Sequence, residues 1–386
     1  MKLCIIASFP LPGKSPSSGP DSVVFNFVQA ICDIDKSIKI DIVTISNDVK
    51  KEFIDILLPN VRVHYLPSHK YLSRSFGDPI IIKKFFGKHS FDIIHAHYPI
   101  ALSLIMKIDT PKVLTLHGIF HIEKKFVANP FVRFFYHDYN TYMLKQILPK
   151  LDGFVAISPY VIDVLNEMKL YNKIKRVYLI NNPIDKLFFN AKTKIEANNV
   201  IFYPAGIRKL KNQIAAIRAI KQVYSEIRDL KLILAGGYDK KYFKTIFNEI
   251  IKYKLTDVVE YKGVLSKDEI LEYYNKSSIV YLLSNQEVQP MVIIEAMVTG
   301  TPVIASNIES ISYLIEHGVT GYLVDPNDSK KVAEYSIDLL TNLNKRRVMG
   351  NNAKELARKK YNPDIIMQQT LEMYQEILNS KKVGLI

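Results

Sequence analysis

Only two cysteines, Cys4 and Cys32, occur in 386 residues. Two thiols cannot build a disulfide framework, so a reducing cytoplasmic setting is expected. Each is expected to be a small core residue. No stretch approaches the roughly 18 uninterrupted apolar residues of a spanning helix, so the chain is not expected to cross a bilayer. The apolar run at the start stops at Pro10. That is short for a secretory leader, and a buried first strand over 3–7 explains it better. Low-complexity tracts and short-period repeats are missing. So are an RNA-binding aromatic signature, zinc-finger spacing and a helix-turn-helix pattern, and no nucleic-acid partner is expected. The Asp33-Ile34-Asp35 triplet has the form of a metal-binding Asp-x-Asp motif. It falls at the end of a helix candidate and reads as surface. His95 and His97 lack a cysteine or carboxylate at metal-ligand spacing and read as structural support. No metal site and no cofactor are expected.

The chain does carry positive charge: the formal balance is +14. Such an excess attracts phosphate-bearing molecules or an anionic lipid surface. Apolar residues make up 48% and charged residues 23%, the balance of a globular protein. The length suits two domains.

Short Val/Ile/Leu runs alternate with longer amphipathic segments. In the first half they cover 3–7, 40–45, 61–66, 92–95, 112–116, 153–157 and 176–180. In the second they cover 200–204, 230–235, 258–261, 279–283, 302–305 and 321–324. Continuous apolar strands between helices indicate parallel sheets covered on both faces. Two sets of runs indicate two doubly wound α/β domains, with a break over the polar segment 185–199. The expected division is 1–185 and 197–363, with a last helix from 364 to 386 returning to the first domain. The aromatic-rich stretch 118–149 carries Lys124, Lys125, Arg133 and Lys145. Exposed, it would suit an anionic membrane surface; buried, it would be a pair of core-packing helices.

Three segments carry chemistry. The first holds Glu287 and Glu295, one before and one within a helix candidate that ends at Gly300. Carboxylates accept hydrogen bonds from hydroxyl pairs, which sugars and ribose present. A helix start offers free N–H groups to a phosphate. The second is the turn from Gly206 through Arg208, Lys209 and Lys211, between a strand and a helix candidate. Two cations there would neutralise the charge developing on a departing diphosphate. The third is His117-Gly118, where a strand ends and a side chain points above the sheet.

With these motifs the chain resembles a retaining, nucleotide-sugar-dependent glycosyltransferase of the GT-B fold, in the family four or group 1 class. Glu287-x7-Glu295 followed by Ala-Met-Val-Thr-Gly-Thr-Pro-Val is similar to that family's signature. The resemblance implies two Rossmann-like domains facing across a crevice, the first for the acceptor and the second for the donor. It implies a sugar contact for Glu287 and a ribose contact for Glu295. Arg208 and Lys211 would hold the diphosphate beside Gly206, with Lys209 as the rival cation. His117 would lie near the reacting sugar. Val288, Gln289, Pro290 and Met291 replace the usual glycine-bearing stretch after the first Glu, and Gly19 is the remaining glycine of the loop 15–20. The segment 306–312 lacks the family's glycine pair, and Tyr313 stands in place of its acid.

The implied reaction moves a sugar from a nucleoside diphosphate-sugar, UDP- or GDP-linked, to a carbohydrate or lipid-linked saccharide acceptor. It would proceed without a metal and with retained configuration, in surface polysaccharide or glycolipid synthesis. A cytoplasmic enzyme peripheral to the membrane fits the charge. The rivals are a nucleotide-sugar epimerase and a non-catalytic sugar-nucleotide-binding scaffold.

Overall fold

The computed structural model describes every residue except 15, 17, 18, 128, 193–197 and 383–386. Part of the expected break at 185–199, half of the loop 15–20 and the end of the expected last helix therefore lie outside the described residues. The chain divides into two units. The first is Met1–Pro183 together with the helix Pro363–Lys382, and the second is Ile184–Asn362.

The first unit is built on an eight-stranded sheet. In chain order its strands are β1 (Lys2–Ile6), β2 (Lys39–Ser46), β3 (Phe53–Leu58), β4 (Val61–Pro67), β5 (Ile93–Ala96), β6 (Lys112–Thr115), β7 (Gly153–Ala156) and β8 (Val177–Leu179). Their spatial order is β3-β4-β2-β1-β5-β6-β7-β8. All neighbours are parallel except β3, which pairs antiparallel with β4 at the edge. The sequence reading missed β3. Its edge position leaves Ile54 and Ile56 exposed, so it lacks the double burial that marks its neighbours. Leu3, Cys4, Ile5 and Ile6 in central β1 are fully buried, as a parallel strand covered on both faces requires. Helix α1 (Gly19–Ile34) covers the sheet with Val23, Val24, Phe27, Val28 and Ile31, an i, i+4 stripe. Both cysteines are free and buried, and Asp35 accepts from the Ser37 amide at a surface turn.

The second unit has a six-stranded, wholly parallel sheet. Its strands are β9 (Val200–Pro204), β10 (Lys231–Ala235), β11 (Val259–Tyr261), β12 (Ile279–Leu282), β13 (Val303–Ser306) and β14 (Tyr322–Val324). The order is β11-β10-β9-β12-β13-β14, so successive strands are added outward in one direction from β9 and in the other from β12. That reversal parts the loops after the two strands and leaves a place for a ligand above the sheet.

The aromatic stretch in the first unit corrects the core-packing reading. A continuous helical segment runs through Pro130–Val132, a wider π turn over Arg133–Asp138, and Tyr139–Ile147. His137, Asn140, Leu144 and Ile147 face inward, whereas every residue from 129 to 136 is exposed.

Candidate active site

In the second unit several candidate site residues lie on the loops that follow β9 and β12. The chain leaves β9 at Pro204 and turns through Gly206, Ile207 and Arg208 into a short 3-10 turn, Lys209–Lys211. Asn212, with φ of 50°, then starts the helix Gln213–Glu226. This turn interlocks with the loop after β10. The Ile207 amide donates to Gly237 O at 2.7 Å, and a side chain at Gly236 (φ 126°) would strike Gly206 N at 2.8 Å. Gln213 Nε2 donates to Gly206 O at 3.0 Å. Tyr203, on the strand floor, donates its hydroxyl to the Lys211 carbonyl and accepts from the Leu283 amide at 2.9 Å. It thereby ties the basic turn to the end of β12. Nothing in the sequence separated this hydroxyl from an ordinary core ring.

Lys211 and Glu287 are brought together: Nζ donates to Oε1 at 2.5 Å. Their side chains are 25% and 10% exposed, so solvent screens the pair only in part. Arg208, on the same turn, is exposed and meets no acid among the described residues. Glu287 leads through buried Val288 and Gln289 and through Pro290 into the helix Met291–Thr299. The first turn of this helix, opened by Met291, holds no acidic side chain. Its N–H end therefore keeps its attraction for an anion. The helix ends at Gly300, whose φ of 83° suits a residue without a side chain.

Glu295 sits inside that helix. Its Oε2 accepts from Tyr274 Oη at 2.9 Å. Burial pushes its carboxyl up to about 7, against the lowering effects of the Tyr274 hydroxyl and Lys267. Lys267 itself is held by Asp185. Glu295 is thus anchored on one oxygen, separately from the Lys211–Glu287 pair. Tyr274 and Lys267 are further residues that the sequence reading missed, since neither lies in a motif.

The first unit carries a different polar cluster. His97 Nδ1 and His117 Nε2 share a hydrogen bond of 2.7 Å, and their rings stack with centroids 5.0 Å apart. His95 is bonded on both nitrogens, to Tyr374 Oη at 2.5 Å and Thr115 Oγ1 at 2.7 Å. Burial lowers His95 to about 3 and His117 to about 4, and drives His97 well down, so all three are neutral near pH 7. His97 Nε2 and His117 Nδ1 are buried without a partner. Both residues line a cavity of about 20 Å³, closed by Phe27, Ile180, Asn182 and Met367. His97 and His95 are therefore the support of His117, by direct bond and by stacking. Gly19 opens α1 and is exposed, and among the described residues no atom lies within 4 Å of where its side chain would be. Tyr313 is exposed beside the short helix Glu309–Ser312. Among the described residues no group of three His, Cys, Asp or Glu is arranged to hold a metal.

Two parallel α/β units in one chain, the second with a lysine–carboxylate pair above its sheet, have the architecture of GT-B glycosyltransferases. Known proteins agree. Residues 19–186 match the model of Glycosyltransferase Family 4, and residues 185–356 match that of Glycosyl transferases group 1. The chain belongs to this family of glycosyltransferases. It is 28% identical over 318 residues to N-acetyl-alpha-D-glucosaminyl L-malate synthase of Bacillus anthracis, covering 78% of each chain. Sucrose-phosphate synthase from Thermosynechococcus elongatus shares the fold with a TM-score of 0.84 at 20% identity, over 98% of this chain and 99% of that one. Anabaena HepE, solved in complex with UDP-glucose, does so with a TM-score of 0.74 at 20% identity, over 97% of this chain and 100% of that one.

Proposed function

We propose that this glycosyltransferase moves a sugar from a UDP- or GDP-sugar to an acceptor hydroxyl with retained configuration and without a divalent metal. The observation that carries the reading is the joining of Lys211 to Glu287 on the turn that also presents exposed Arg208. Arg208 and Lys211 take the diphosphate, aided by the start of the helix Met291–Thr299 and by Gly206 beside them. Glu287 takes hydroxyls of the transferred sugar, with the Val288, Gln289, Pro290 and Met291 backbone beside it. Glu295 takes the ribose on the oxygen that Tyr274 leaves open. His117, neutral and set by His97, serves a sugar hydroxyl, and Gly19 leaves the start of α1 open to a ligand.

The bond from the anomeric carbon to the diphosphate oxygen breaks, and its electrons stay with that oxygen. The acceptor oxygen bonds to the same face of the carbon. Its proton passes to the departing phosphate. Cations fixed before the reaction stabilise this charge without reorganising, which is the principal source of rate in such sites. UDP is supported as the nucleotide by the HepE complex. The acceptor we assign is a carbohydrate or lipid-linked saccharide, used in polysaccharide or glycolipid synthesis at the membrane face of the cytoplasm.

The test is calorimetric titration with UDP and GDP, followed by proton NMR of the transfer product with and without EDTA. One nucleotide should bind, and the product should keep the donor's anomeric coupling in EDTA. Conversion of the donor without any acceptor would replace this reading with an epimerase. Binding without turnover towards any saccharide would leave a sugar-nucleotide-binding scaffold.

A further inference from the structure

The proposed donor and acceptor chemistry does not call on the exposed aromatic segment of the first unit. From 129 to 136 every residue is exposed, although the segment holds Phe131, Val132, Phe134 and Phe135. Phe131 is 72% and Phe134 61% exposed. The segment is not a loose tail. Asn129 caps its start, accepting from the Phe131 amide at 2.9 Å. The α2 helix (Arg74–Phe86) braces it: Ser75 Oγ donates to Phe135 O at 2.6 Å. The Phe76 ring lies 6.2 Å from Phe135 and 4.8 Å from Tyr139. On α2 itself, exposed Phe76 and Ile80 continue into exposed Lys83 and Lys84, all on one helical face. Exposed Lys125 and Arg133 lie beside the aromatics, while the nearby acid Asp138 is engaged by Lys124.

We propose that this surface docks the enzyme on an anionic lipid bilayer, the rings entering the interface and the cations meeting the headgroups. The inference rests on the membrane-face location proposed above and is independent of the donor assignment. Charge complementarity selects this occupant. Rings surrounded by cations of one sign fit an apolar layer under negative charge. Rings exposed on every side of a helix suit a fluid medium that can surround them. A flat protein partner would cover one face and leave the others wet. A glycosyltransferase held this way would have its first unit at the surface where lipid-linked acceptors reside.

The experiment is cosedimentation of the full chain with two kinds of vesicle, phosphatidylcholine alone and phosphatidylcholine mixed with phosphatidylglycerol. Wild type should pellet with the mixed vesicles, weakly with the neutral ones, and less as salt rises. Lys83→Gln with Lys84→Gln should weaken binding to the mixed vesicles by about 25-fold, since each cation near the surface adds about fivefold. Phe131→Ser with Phe134→Ser should weaken it by about tenfold or more even at low salt, because buried ring area is lost. Nucleotide titration and melting temperature serve as controls and should not change. If wild type ignores anionic vesicles, both the patch and the membrane-face location fall. If wild type binds but the phenylalanine variant binds equally, the location stands and the patch falls. If the variant instead turns a wild-type dimer into a monomer on a sizing column without altering lipid binding, the surface is a self-association face and the proposal is overturned.

Discussion

The two units share one architecture but carry opposite electrostatics above their sheets. In the second, Lys211, Glu287 and Arg208 are charged, and two of them are at least partly open to solvent. In the first, His95, His97 and His117 are held neutral by burial and bond to one another and to hydroxyls. The same strand-loop-helix frame thus supports either fixed charge or fixed neutral dipoles, depending on how much water the loops admit. Fixed charge suits a diphosphate, and neutral donors and acceptors suit sugar hydroxyls.

The sharpest break in this comparison is Arg208→Ala. It should lower the transfer rate by about 10²- to 10³-fold, the usual cost of one preorganised charge-stabilising group. Because Arg208 is exposed, the melting free energy should stay within about 0.5 kcal/mol of wild type. Turnover and thermal melts on the same preparation check both halves.

Tyr374→Phe should do the reverse. It strands His95 Nδ1 in the interior and should cost about 1–3 kcal/mol of stability. Nucleotide affinity, measured by calorimetry, should be unchanged.

Acid should separate the units next. His95 and His97 stay neutral when folded but protonate when unfolded. Their stabilising effect is complete above the unfolded value near 6.5 and is lost as pH falls toward the folded values. Each should remove about 1.4 kcal/mol per pH unit below that point. Asp78, raised to about 6, and Glu295, raised to about 7, work in the opposite sense: each binds its proton more tightly in the folded state and offsets part of the histidine loss as pH falls. Denaturant titrations at pH 7 and pH 5.5 should therefore show a net loss of stability in Glu295→Gln, which lacks the larger of these offsets. A flat profile would contradict the neutral cluster.

The smallest effect concerns Glu295. With its carboxyl near 7 in the free protein, ribose binding to the ionised form should weaken as pH falls below 7, by up to about tenfold per unit. Glu295→Gln should bind nucleotide more weakly and with no such slope. Calorimetry at pH 6 and pH 8 on both forms decides it.

Much of this was legible in the chain. Runs such as Ile279–Leu282 and Val303–Ser306 announce doubly covered parallel strands because no solvent face interrupts them. Edge strand β3 was not legible, since a half-exposed antiparallel strand carries a weaker pattern. The turn bearing Arg208 and Lys211 was legible from its place between strand and helix. The fixing of that turn by Tyr203 was not, because the bond joins β9 to the end of β12 across 80 positions. The stretch 130–136 stood open between surface and core in the sequence, and the fold leaves its aromatics in water.

Local chemistry in the sequence by itself determined the α/β class, the two sets of strands and the family of the enzyme, because periodicity and motif spacing act over a few residues. Tertiary structure alone decided which charges meet. It paired Lys211 with Glu287 across 76 positions and gave Glu295 its Tyr274 partner. It joined His95 to Tyr374 across 279 positions. Burial, and with it the protonation of every one of these histidines, depends on how distant segments exclude water. No local pattern carries that information.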